Sequence, residues 1–369
     1  MEPARLRAIL ARAPGLVASH LFACPTGCKA EAGLLPQDLL PRLLRSPLPA
    51  RTRAWLEGCD KDLIDSDLRW IEANECQILC CLDPDFPPAL AQLQPAPATI
   101  YVSGSRRSVS APQLAIVGSR QASAAGIDTA HRFAAELAQA GLTITSGLAV
   151  GIDTAAHEGA LAAGGQTIAV CATGLDRVYP AHNASLAARI RAQGSLISVF
   201  APGTGPRPHH FPIRNRLIGA LGAGTLVVEA AADSGSLITA RHARQLNRPV
   251  FAVPGSIRDP QARGCNQLIR AGATLVQRSC EILQDLHIID INQCIIGSPA
   301  VCLKPGSRPS LLDNKYEMLL DAAGFEPVDI DVLAFRTGWS GHTVTSMLLL
   351  LELQGRIAPQ PGGRYCRLS

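Results

Sequence analysis

Between Leu114 and Val276 the chain repeats one pattern seven times: a short apolar run without polar alternation, then a longer amphipathic segment. The runs are Leu114–Val117, Leu142–Thr145, Thr167–Cys171, Leu196–Phe200, Thr225–Glu229, Val250–Val253 and Thr274–Val276. A strand with no polar face must be covered on both sides, and strands separated by helix-length segments run parallel. The intervening segments suit helices. In 127–139 the residues Ala130, Phe133, Ala134 and Leu137 fall on one stripe, and 154–163, 183–193, 236–245 and 265–271 follow. The pattern predicts an α/β fold with a doubly wound parallel sheet. Two further apolar runs, 76–82 and 99–102, read as strands added to it.

A chain of 369 residues needs more than one domain. Residues 1–74 read as a small N-terminal helical domain, with helices at 4–12, 34–44, 50–58 and 61–73 broken by Pro and Gly. They carry no visible chemistry and suit a packing module, or one that meets a partner or DNA backbone. Residues 75–290 hold the sheet. Periodicity fades from residue 287, and 291–312, which collects Pro, Gly and Ser, reads as a linker. In 313–369, helices at 315–323, 328–337 and 341–354 precede a hairpin around Pro361-Gly362-Gly363. That order is a winged-helix outline.

Apolar residues make up 47% and charged residues 17%, which supports a globular core. Only four of the 34 basic residues are lysine, and arginine's planar fork suits phosphates and bases. A net charge of +4 alone would not imply nucleic acid. Charged residues interrupt every apolar stretch before it reaches membrane length, and Glu2, Arg5, Arg7 and Arg12 leave no signal-peptide core. Twelve cysteines without paired metal-ligand spacing, as in Cys24–Cys28 and Cys76–Cys80-Cys81, point to buried free thiols in a reducing cytoplasm. No metal or cofactor is expected.

The candidate chemistry sits where the apolar runs end, the place where ligands bind in open parallel sheets. Val117 is followed by Gly118, Ser119 and Arg120: a close-approach glycine, a hydroxyl donor and a cation. Ser146 and Gly147 open a second turn, with Ser146 expected to face phosphate. In the helix beyond it, Asp153 and His157 are four residues apart, as an acid/base pair would be; the alternative is a carboxylate serving the helix N-terminus beside a packed histidine. Glu229 suits a general base or, more simply, a carboxylate that fixes its turn. Ser234, Gly235 and Ser236 begin a helix, where free amides favour anions. The most specific signal is Phe211, Arg214, Asn215 and Arg216, which places an aromatic face beside fixed positive charge at the start of an apolar helix. Together these features call for a ligand that is polyanionic and carries flat rings, hence a nucleic acid or nucleotide.

Assembled in order, VGSR (117–120), SGLAVGIDTAAH (146–157), GLDRVYP (174–180), FPIRNR (211–216), VVEA (227–230), SGSLITA (234–240) and FAVPG (251–255) resemble the DprA/Smf family, DNA processing protein A. The resemblance implies a Rossmann-like central domain and a winged-helix third domain. It implies a cytoplasmic, non-enzymatic homodimer that binds incoming single-stranded DNA during natural transformation. Such a protein shields the strand, helps displace single-strand-binding protein and loads the RecA recombinase. The family's DNA pocket falls here on Arg120, Phe211, Arg214, Asn215, Arg216 and Ser234–Ser236. The chain departs from the family in having Ala125 before Gly126, where a tyrosine is frequent, and Val199 after Ser198, where a glutamate is usual.

Two rival readings remain. A nucleotide phosphoribohydrolase of the lysine-decarboxylase-like Rossmann group would also join a strand-end glutamate to a glycine-rich turn, but Asp233-Ser234-Gly235-Ser236 differs from that group's turn. A duplex-binding regulator would use the winged helix. Its expected recognition helix, 341–354, offers His342, Thr343 and Thr345 but no Arg or Lys, which argues against base-edge reading.

Overall fold

A computed structural model describes residues 2–22, 38–288, 314–323 and 327–368. The expected linker at 291–312, its boundary with the sheet domain, and Cys24 and Cys28 lie outside these residues. The described parts form two compact units, one of residues 1–120 with 130–279, the other of 121–129 with 280–369.

The first unit is built on nine strands: β1 (Cys76–Cys80), β2 (Thr99–Gly104), β3 (Gln113–Val117), β4 (Thr143–Ser146), β5 (Thr167–Val170), β6 (Ser195–Ser198), β7 (Gly224–Val227), β8 (Val250–Ala252) and β9 (Thr274–Leu275). Their order is β1-β2-β6-β5-β4-β3-β7-β8-β9. Every neighbour pair from β6 to β9 is parallel, while β2 pairs antiparallel with both β6 and β1. From β3 the chain winds outward through β4, β5 and β6, then returns to β3's other side at β7 and winds away through β8 and β9. The direction of winding therefore reverses between β3 and β7, and the loops leaving those two strands diverge to opposite faces. In open parallel sheets such a reversal is where ligands bind. All residues of β3 to β8 are buried, as continuous apolar strands require.

The helices Pro3–Arg12, Leu39–Arg45, Ala50–Glu57 and Lys61–Ala73 share one core with this sheet: Leu6, Ile9, Leu10, Leu43 and Ile64 are buried in the same cluster as Leu79 and Ile100. Arg12 pairs with the buried Asp67 and also donates from Nη2 to the Pro202 carbonyl at 2.8 Å. This ties the first helix to the loop that follows β6.

In the second unit, the helices Asn314–Ala323, Ile330–Thr337 and Gly341–Leu353 pack with a three-stranded sheet of β10 (Val328–Asp329), β11 (Ile357–Gln360) and β12 (Arg364–Arg367), ordered β10-β12-β11. Leu319, Leu320, Leu333, Val344, Leu348, Leu351 and Ile357 fill its core. Gly338, at φ +73°, ends one helix in the left-handed conformation that glycine adopts without strain, and the Ser340 side chain caps the next by accepting from Thr343 N at 3.2 Å. This is a winged helix. No helix among the described residues is long and apolar enough to cross a membrane.

Candidate nucleic-acid interface

The loops at the reversal point interlock before they offer anything to a ligand. Ser119 N donates to the Glu229 carbonyl at 2.7 Å, and Ile152 N donates to the Ser119 carbonyl at 3.2 Å. Gly118 lies where a Cβ would stand 2.6 Å from Ile152 Cγ1 and 2.9 Å from the Glu229 carbonyl oxygen. Its missing side chain serves this internal crossing. Ser119 is buried, while Arg120 projects into solvent. Glu229 takes part in this crossing through its main-chain carbonyl, which any residue would supply.

The turn after β4 is also turned inward. Ser146 is fully buried and its Oγ donates to the Ile116 carbonyl at 2.6 Å, so it is not the phosphate-facing hydroxyl expected of it. Asp153 Oδ2 accepts from Gly147 N at 3.1 Å and Ala149 N at 3.4 Å, and faces Arg214 Nη1 at 3.6 Å. A Cβ on Gly147 would fall 1.1 Å from that same Nη1. The glycine therefore makes room for a guanidinium of this chain and not for a bound strand. Burial pushes the Asp153 carboxyl up and the Arg214 guanidinium down, and the attraction between the two opposes both shifts.

His157 follows its simpler reading. Its Nδ1 lies 2.7 Å from Thr167 Oγ1, whose proton goes to the Ile144 carbonyl, so the imidazole must donate there from Nδ1. Burial holds its pKa down at about 3, which leaves the ring neutral near pH 7. Asp153 and His157 are structural groups, not an acid/base couple.

The helix His210–Leu221 enters from a Pro- and Gly-rich loop and tolerates Pro212 because that proline stands in its first turn. Leu217, Ile218, Ala220 and Leu221 bury its later turns. Phe211, half-buried in the first turn, is the centre of a cluster. Arg120 Cζ lies 5.3 Å from its ring centroid and Arg214 Cζ 5.9 Å, while the Tyr179 ring meets it edge-on at 5.7 Å and 61°. Arg120 is exposed and Tyr179 is 48% exposed, so this ledge is open to solvent.

Two expectations about this helix need correction. Arg216, five residues beyond Phe211, is turned about 140° round the helix, and its Nη2 donates to the Pro95 carbonyl at 3.0 Å. The exposed cation that meets the ring is Arg120. Arg214, expected to reach a phosphate, is only 4% exposed. Asn215 Nδ2 donates to the Gly235 carbonyl at 3.1 Å and so latches the Ser234–Ser236 turn to the same helix. Within that turn Ser234 N, Ser236 N, Leu237 N and Ile238 N all donate internally, and the two serine hydroxyls lie 2.7 Å apart. Ser236 is buried and Ser234 half-buried, so the turn offers little beyond the Ser234 hydroxyl and the exposed Gly235.

Tyr179 was not among the sequence candidates. It lies in GLDRVYP, the loop that follows β5, and strand-end reasoning applied to β5 as it was to β3, β4 and β7 would have reached it.

The family model described as DNA recombination-mediator protein A matches residues 77–287, and that of the DprA winged helix domain matches 304–363. Protein Smf of Escherichia coli (strain K12) is 40% identical over 311 residues, covering 83% of this chain and 81% of its own length. The DprA structure from Streptococcus pneumoniae superposes with a TM-score of 0.66 at 34% identity, covering 77% of this chain and 99% of that one. A structure of DNA processing protein A from Helicobacter pylori, described for its single-stranded DNA binding mode, gives 0.53 at 28% identity, over 58% of this chain and 96% of that one. With one family model spanning most of the sheet unit and a relative aligned over four-fifths of the sequence, the chain belongs to the DNA recombination-mediator protein A family, DprA/Smf.

Proposed function

We propose that this chain is a single-stranded DNA binder, not an enzyme, and that it grips the strand along the carboxyl edge of its sheet. The observation that carries this reading is the Arg120–Phe211–Tyr179 ledge: an exposed guanidinium over an aromatic face, with a second ring edge-on and half in solvent. A base can stack on such rings whatever its sequence, at about 1–3 kcal/mol each. A backbone phosphate can pair with the arginine, at a strength that falls with salt. The exposed Gly235 and half-buried Ser234, held to the same helix by Asn215, extend the surface. The Helicobacter pylori relative, whose described binding mode is to single strands, supports the ligand class. Against the hydrolase rival stands its missing glycine-rich turn, since Asp233-Ser234-Gly235-Ser236 follows the strand-end Glu229 here.

In the fuller form of the proposal the protein works in the cytoplasm as a homodimer. It shields incoming strands during natural transformation, helps displace single-strand-binding protein, and loads RecA.

Fluorescence anisotropy with labelled oligonucleotides across a salt series tests the binding reading. The expected result is a preference for single strands over duplex, little dependence on sequence, and affinity that falls as salt rises. Equal affinity for duplex would remove it. Loading is tested by RecA's ATPase on strands coated with single-strand-binding protein, which the chain should accelerate. Release of free base from a nucleoside monophosphate would favour the hydrolase instead.

A further inference from the structure

We infer that Arg214 and Asp153 form a buried strut that sets the position of the Phe211 ring, so that Arg214 serves strand binding through that ring and touches no phosphate. The inference rests on the strand-binding reading above and assigns Arg214 the part of a positioning residue.

Four observations lead there. Arg214 and Asp153 are 4% and 6% exposed, so a backbone phosphate cannot reach the guanidinium without opening the packed loops. The carboxylate is itself immobile: Asp153 stands in the first turn of the helix Ile152–Ala162 and accepts from Gly147 N and Ala149 N. Gly147 provides the volume, since any side chain there would overlap Arg214 Nη1. Last, Arg214 lies three residues after Phe211 on the same helix face, 5.9 Å from the ring centroid, and its Nε and Nη1 find no hydrogen-bond partner among the described residues. An arginine buried with unused donors is costly to keep. Its contacts here are the anchored carboxylate and the aromatic ring, and a cation beside a ring is most effective when water is excluded. The same pair gives the SGLAVGID segment a purpose that strand-end reasoning did not supply: it builds the socket for the residue beneath the stacking ring.

The test separates positioning from contact by two readouts. The first needs no DNA. With 4-fluorophenylalanine incorporated at the eight phenylalanines, the Phe211 fluorine signal is identified by its loss in Phe211→Leu. In Arg214→Met, and in Gly147→Ala, which keeps both charges but displaces the guanidinium, this signal should shift while those of the core residues Phe133 and Phe251 stay in place. The second readout is oligo(dT) affinity across a salt series. Both variants should bind about tenfold more weakly, within the range for one lost base stack, with the slope of log affinity against log salt unchanged. The double variant Phe211→Leu/Arg214→Met should bind no more weakly than Phe211→Leu alone.

A slope reduced by about 0.7 in Arg214→Met, the signature of one lost phosphate contact on a single strand, would overturn the inference. So would an unmoved Phe211 signal. If Arg214→Met fails to fold, Gly147→Ala decides. Failure of the unaltered protein to bind single strands would overturn the proposed function, and the fluorine shift would still decide whether the pair sets the ring.

Discussion

The ledge on the sheet unit and the helix Gly341–Leu353 of the winged helix carry opposite chemistry, on architectures that are both associated with nucleic acids. At the carboxyl edge of the sheet an exposed arginine covers an aromatic ring. On the winged helix, the helix Gly341–Leu353 has no Arg or Lys and leaves Leu349 and Leu353 exposed at 58% and 77%. Phe335, on the helix before it, is 89% exposed. An outline compatible with groove reading does not supply the donors that reading needs. The contrast agrees with the proposal that places strand binding on the sheet unit, while the helix Gly341–Leu353 exposes apolar side chains in place of cations.

Substitutions can break or sharpen that contrast, and the largest expected effect is on folding. Leu348 is fully buried in the winged-helix core, which shares no residue with the sheet-unit core. Leu348→Ala should cost about 2–5 kcal/mol in denaturant unfolding of that unit, while single-strand affinity changes less than about twofold. A parallel loss of binding would break the contrast.

Next comes the ring itself. Phe211→Ala should weaken single-strand binding by about 1–3 kcal/mol in anisotropy titrations, with the salt slope unchanged.

Acid acts on stability alone, with an expected loss comparable to that of the ring, about 3 kcal/mol between pH 6.5 and 4. The folded-state pKa of His157, about 3, lies below its ordinary value of 6.5. As pH falls below 6.5 the unfolded chain takes up a proton that the folded chain refuses. Stability is therefore flat on this account above pH 6.5 and declines toward pH 3, by about 1.4 kcal/mol per pH unit. His157→Gln should flatten that decline in melts of the sheet unit followed from pH 7 to 4.

Arg120→Ala should lower the salt slope by about 0.7, an affinity loss that is greatest at low salt. The least effect is expected from His342→Ala on the winged helix, below about twofold for single strands or duplex.

Much of the fold was legible because burial on both faces leaves a mark in composition: the apolar runs mapped onto β3 to β9, and the Gly/Ser punctuation marked their ends. The antiparallel attachment of β2 to β6 left no such mark, since pairing partners are chosen in space. At the site, sequence position located the strand ends but not the direction of each side chain. Ser146 and Gly118 stand where a ligand-facing residue would stand, yet the first bonds to the Ile116 carbonyl in β3 and the second is a glycine because Ile152 and the Glu229 carbonyl crowd its Cβ position. Arg214 and Arg216 look equivalent in FPIRNR, but the helical repeat buries one beside Asp153 and sends the other to Pro95. Arg120 becomes the ring's exposed partner only because the winding reverses between β3 and β7.

The bond from Arg12 to the Pro202 carbonyl has a practical corollary. The loop it holds runs straight into the turn bearing Phe211, so an injury to the helix Pro3–Arg12 would reach that turn through this main-chain oxygen as well as through the shared core. Deletion mapping would then score the first helix as a binding element although none of its side chains need ever meet a nucleotide.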